Sequence, residues 1–135
     1  MKHMILKLSL LFVALGVTST AIAADWQLIS KSVAEREEYF LDLDSVKVRQ
    51  GRLSGNVLTN YSRNRFEAAS AQDLYSVDCK ARNISHLSGG TFSEPYAQGK
   101  KVSQYVGRSS TPEAVQAGTT GERIFVELCK ATPVP

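Results

Sequence analysis

The sequence is short of the residue types on which most enzymes and metal proteins are built. It carries two cysteines, two histidines and one tryptophan in 135 residues. One histidine, His3, stands at the extreme N-terminus, which leaves His86 as the only one in the remainder. Two isolated cysteines and a single histidine do not supply four well-spaced ligands, which argues against a structural zinc site. No glycine pattern of the kind that cradles phosphate is present. Long apolar runs are missing as well. The one candidate, Leu8 to Leu15, is short for a bilayer span of roughly 20 residues.

That apolar run reads instead as the centre of a secretory leader. Lys2, His3 and Lys7 form a positive start, and Ala21-Ile22-Ala23 provides a small-x-small cleavage site. Residues 1–23 are therefore expected to be removed after Ala23, leaving a mature domain over 24–135. No cysteine stands at the cleavage site to carry a lipid. The mature protein is expected to be exported, periplasmic or secreted, without an integral membrane segment and not as a lipoprotein. Cleavage takes Lys2 and Lys7 from the 16 basic residues and nothing from the 13 acidic ones, so the net charge falls from +3 to near +1. Such a balance lacks the electrostatic footprint of a nucleic-acid binder, and nucleic acid is set aside as a partner.

In an exported chain the two cysteines read as one disulfide, Cys79 to Cys129. Closing a loop of about 50 residues contributes on the order of 4 kcal/mol in the chain-entropy model, comparable to the whole stability of a small domain. Neither sulfur is then available as a nucleophile. His86, beside Ser85 and Ser88, fits a turn better than a catalytic triad. Asp42 and Asp44 share one side of a strand and could pair as acid and base, though a turn at the strand end accounts for them equally. The expectation is a protein that is not an enzyme and holds no cofactor.

Hydrophobic periodicity supplies the architecture. Trp26 to Ser30 is a first strand, with Trp26 as a core plug. The charged stretch through Glu35, Arg36, Glu37 and Glu38 reads as a solvated turn. Tyr39, Leu41 and Leu43 alternate with Phe40, Asp42 and Asp44, and Val46 and Val48 continue the strand. Gly51 marks a turn, and Leu53 to Tyr61 forms the return arm of a hairpin. Ser62 to Asp73 is polar and small and reads as a long hairpin tip. In Tyr75 to Arg82, Tyr75, Val77, Cys79 and Ala81 face inward. Asn83 to Pro95, with Gly89 and Gly90, is a strand with a bend or bulge, and Lys100 to Val106 is a further strand.

Thr119 and Glu122 have the spacing of a capping box that opens a helix. Ile124, Phe125, Leu128 and Cys129 share one face of it, and Arg123 and Glu127 lie on the exposed side. These elements together predict an α+β fold: a single antiparallel sheet of about six strands packed on one C-terminal α-helix and tied by one disulfide.

An N-terminal Trp26, then Tyr39-Phe40-Leu41-Asp42 with Ser45-Val46, Val77-Asp78-Cys79 with Arg82, and Gly118-Thr119 through Cys129 resemble the surface-adhesin protein E family. The resemblance covers nearly all of the mature chain. It implies the same sheet, helix and disulfide, and surface proteins that bind host extracellular-matrix and serum proteins such as vitronectin and laminin and that can dimerise. A protein partner is thus expected, either a matrix protein or an envelope protein. The exposed basic and aromatic residues Arg63, Arg65, Phe66, Lys100 and Lys101 are the candidates to meet it. The alternative is a periplasmic accessory protein that serves an envelope partner without adhesion.

Overall fold

Alternating apolar residues build one sheet and a helix covers part of one face of it. The computed structural model describes residues 24–135, apart from the side chains of Arg63 and of residues 108–110. The expected leader, 1–23, lies outside the described residues. Among the described residues seven strands occur: β1 (Trp26–Ser32), β2 (Glu37–Asp42), β3 (Lys47–Arg49), β4 (Arg52–Arg65), β5 (Ala68–Asp78), β6 (Asn83–Glu94) and β7 (Gln98–Ala114). The helix α1 spans Thr120–Lys130 and closes the fold. The sheet order is β1-β2-β4-β5-β6-β7, with short β3 paired to β4. Every pairing is antiparallel.

The core lies where α1 meets the sheet. Leu41 and Val57 are register partners. With Val46 and Val77 they form the sheet side of a buried cluster whose helix side is Ile124, Phe125 and Leu128. Burying each such side chain is worth about 1.5–3 kcal/mol. The helix begins where the sequence indicates. Thr119 Oγ1 accepts from the Glu122 amide at 3.2 Å, and Glu122 Oε2 accepts from the Gly118 amide at 2.8 Å, one residue further upstream than the usual box. Glu127 pairs with Lys130 at 3.2 Å, not with Arg123. No helix among the described residues is long and apolar enough to cross a membrane.

The disulfide joins Cys79 to Cys129 with 5.8 Å between Cα atoms. Its setting differs from the inward-facing strand residue expected for Cys79. The strand β5 stops at Asp78, whose Oδ1 accepts from the amides of Lys80 and Ala81 at 3.0 and 2.9 Å. This side-chain turn ends the ladder, so Cys79 is exposed and the bond forms at the rim of the core.

Other boundaries also move. The strand expected from Tyr39 to Val48 breaks after Asp42, whose carboxylate accepts from the Asp44 amide at 3.1 Å and caps one 3₁₀ turn, Leu43–Ser45. Asp42 is thus a cap, not half of an acid–base pair, and burial raises its pKa. Glu37 and Glu38 belong to β2, and Glu37 is buried.

The largest change concerns Ser62 to Asp73. It is the end of β4 and the start of β5 joined by a two-residue turn, and Ala68, Ala69, Ser70 and Ala71 are buried. The β6–β7 connection meets Ser70. Ser70 Oγ donates to the Glu94 carbonyl at 2.6 Å and accepts from the Ala97 amide at 3.0 Å. The strand expected at Lys100 to Val106 extends to Ala114.

Candidate functional site

Antiparallel pairing places three connections at the end of the sheet away from the disulfide: residues 33–36 between β1 and β2, Phe66 and Glu67 between β4 and β5, and residues 95–97 between β6 and β7. Each exposes one large apolar side chain. Val33 is 90% exposed, Phe66 97% and Tyr96 46%. All three connections also hold non-glycine residues in the left-handed region: Arg36, then Phe66 and Glu67, then Tyr96 and Ala97. For bulky residues this conformation is uncommon and costs about 1–2 kcal/mol each. Two-residue hairpins of this hand favour Asn-Gly. Phe-Glu stands here instead.

The named candidates divide at this end. Arg65 is held internally: it pairs with Glu37 at 2.9 Å, donates to the Glu35 carbonyl at 3.3 Å and lies over the Tyr61 ring at 5.4 Å. Phe66 makes no such commitment. Lys100 and Lys101, at the start of β7, are exposed at the same end, with Lys101 Nζ 5.7 Å from the Phe92 ring. Arg63 is a β4 residue whose side chain lies outside the described ones.

A second cluster, absent from the sequence reading, centres on Asp73. Its Oδ1 lies 2.8 Å from His86 Nε2 and accepts from the Tyr105 hydroxyl at 2.7 Å. The Tyr75 ring stacks on His86 with centroids 4.9 Å apart. His86 therefore belongs to a strand and not to a turn, and its carboxylate partner is Asp73, not Asp42 or Asp44. The convergence depends on Gly89, the register partner of both Asp73 and Tyr105. A Cβ there would overlap the Asp73 carboxylate and stand 2.8 Å from Tyr105 Cε2.

Burial raises the pKa of the Tyr75 and Tyr105 phenols, and for Tyr105 the hydrogen bond to Asp73 adds to it. Tyr61 is raised by burial and then by the Asp73 charge. Tyr39 is raised by burial and by its hydrogen bond to Glu37. Asp73 on β5 bonds His86 on β6 and Tyr105 on β7, so the cluster is a clamp across the three strands. The alternation of Asp73 with Tyr75 and Val77 was the signal available in the sequence. Reading that segment as a loop concealed it.

A family model described as Surface-adhesin protein E matches residues 26–130. Two solved structures are similar. The selenomethionine form of Haemophilus influenzae protein E is 14% identical with a TM-score of 0.56, covering 74% of this chain and 84% of that one. Crystal form II of Haemophilus influenzae protein E is 14% identical with a TM-score of 0.54, covering 67% and 79%. At that identity the likeness speaks for the fold alone. No curated protein matches the chain. The family match runs from the first residue of β1 to the last residue of α1 and takes in every element between them, so the chain belongs to the surface-adhesin protein E family.

Proposed function

We propose that this chain is a non-catalytic exported binding protein, cleaved after Ala23, whose mature domain 24–135 meets a host extracellular-matrix or serum protein. The contact is the turn-bearing end of the sheet. The observation that carries the reading is the gathering of Val33, Phe66 and Tyr96 on three separate connections at that end, with Lys100 and Lys101 beside them. Exposed aromatic residues are the side chains that protein interfaces favour at their centres, and flanking lysines suit the polar rim. Surface plasmon resonance against immobilised laminin and vitronectin tests it. Phe66→Ser should weaken binding at least tenfold, and Arg65→Ala should act mainly through stability because Arg65 is occupied internally. Unchanged affinity of Phe66→Ser, or no binding by the parent chain, would sink the reading.

One observation favours a second reading, a periplasmic accessory protein for an envelope partner. Both cysteines of the chain are joined in the disulfide, which supports a form without a lipid on cysteine. Added protease on intact cells separates the two. Digestion of the chain supports surface display, and protection until the outer membrane is opened supports the accessory role.

A further inference from the structure

The sheet face away from α1 carries a cleft of about 230 Å³. Its walls follow from register. Leu58, Gln72, Gly90 and Gln104 form one cross-strand row, and Asn56, Leu74 and Ser88 form the next. Phe92 and Lys101, also paired, close one end. Gly90 contributes no side chain, and the Lys101 Cε lies 3.8 Å from where its Cβ would stand, so Lys101 reaches into the row between Gln72 and Gln104.

The chemistry of the lining is specific. The side-chain amides of Asn56, Gln72 and Gln104 have no hydrogen-bond partner among the described residues. Each amide offers donors and an acceptor together, which matches hydroxyl groups that also do both. Phe92 is half-buried, and Lys101 Nζ lies over its ring at 5.7 Å, which holds the ammonium at the cleft. Lys101 is the only charged residue of the lining, and no carboxylate opposes it. An apolar peptide segment would leave three amides unpaired.

We propose that this cleft binds an anionic saccharide unit, its hydroxyls read by Asn56, Gln72 and Gln104 and its carboxylate or sulfate paired with Lys101. The site shares only Lys101 with the protein-binding end, and it stands or falls separately from that reading.

The test is an NMR titration of the oxidised mature chain with glucuronate, N-acetylneuraminate, glucose 6-sulfate and neutral glucose. The anionic sugars should bind with dissociation constants of about 1–10 mM, as befits one small ligand in an open cleft. Shifts should concentrate on the side-chain amides of Asn56, Gln72 and Gln104 and on the backbone of Gly89 and Gly90. Glucuronate against glucose 6-sulfate decides which anion is preferred. Lys101→Ala should reduce anionic binding to the level of glucose, and Gln72→Ala with Gln104→Ala should abolish it. Both variants alter surface side chains, and an unchanged amide spectrum without sugar verifies their fold. Equal binding of glucose, shifts confined to other surfaces, indifference to both variants, or no binding at 50 mM (about 1.8 kcal/mol by affinity arithmetic) would overturn the assignment.

Discussion

Gly55 lies directly beneath Leu128, and a Cβ on Gly55 would stand 2.8 Å from Leu128 Cδ2, with Leu41 Cδ1 at 3.3 Å. This close approach seats α1 on the sheet. Leu128 is fully buried and hemmed in by the same cluster, so its side chain cannot swing aside. Gly55→Ala is therefore expected to destabilise by about 1–3 kcal/mol through overpacking. Urea unfolding followed by Trp26 fluorescence measures it, and a midpoint equal to the parent's would show that the helix accommodates the methyl group.

The Asp73 clamp makes a second prediction. Gly89→Ala forces the Asp73 carboxylate away from His86 and Tyr105 and leaves buried polar groups unpaired, at a cost of about 2 kcal/mol or more. Tyr105→Phe removes one bond and leaves the ring, so it should cost about 1 kcal/mol. The ordering of these two in urea unfolding is the check. A larger loss for Tyr105→Phe than for Gly89→Ala would contradict the role assigned to the glycine.

Removing the disulfide should cost about 4 kcal/mol, from the 50-residue separation of its ends. Because Cys79 is exposed and sits outside the core cluster, Cys79→Ser leaves little cavity behind. Most of its effect should be reproduced by reducing the parent protein. Thermal unfolding with and without reductant compares the two. A variant much less stable than the reduced parent would mean that packing, not chain closure, is what the cysteine supplies.

The turn at Phe66 and Glu67 should show stability and binding moving in opposite directions. Replacing the pair with Asn-Gly relieves two left-handed residues and should stabilise by about 1–2 kcal/mol. The same change removes the most exposed aromatic ring and should weaken binding to the matrix protein. Thermal unfolding and surface plasmon resonance on one sample decide the matter.

Alkaline pH should unfold the protein from a definite point. Tyr39, Tyr61, Tyr75 and Tyr105 all have pKa values raised in the folded state. The unfolded chain ionises its tyrosines near pH 10, so the native state binds more protons above that pH. Their contribution to stability is intact below about pH 10 and is lost as the pH rises through the folded values. The urea midpoint should fall steadily above pH 10, and Tyr105→Phe should flatten the fall. A midpoint independent of pH there would contradict the burial of these phenols.

Much of the fold was legible because local chemistry wrote it. Thr119 and Glu122 cap a helix wherever that spacing meets an apolar stripe. Alternation at Tyr39 to Leu41 and at Leu53 to Tyr61 makes strands whose register a turn can set. The segment from Ala68 to Asp73 was not legible. Its residues are small and polar; Ser70 is buried where its hydroxyl bonds the β6–β7 connection, and Asp73 where it meets His86 and Tyr105. The amide of Tyr96 donates to Asn60 Oδ1 at 2.8 Å across 36 positions.

The sequence by itself determined the antiparallel sheet, the capped helix and the pairing of two cysteines, since each follows from periodicity, a short-range cap or a count of two. The tertiary structure decided that Cys79 faces outward, that Asp73 gathers His86 and Tyr105, and that Val33, Phe66 and Tyr96 meet at one end. Those facts depend on which residues fall opposite one another in neighbouring strands. A one-residue slip in register would turn each side chain to the other face, and no local pattern records the bulges that set it.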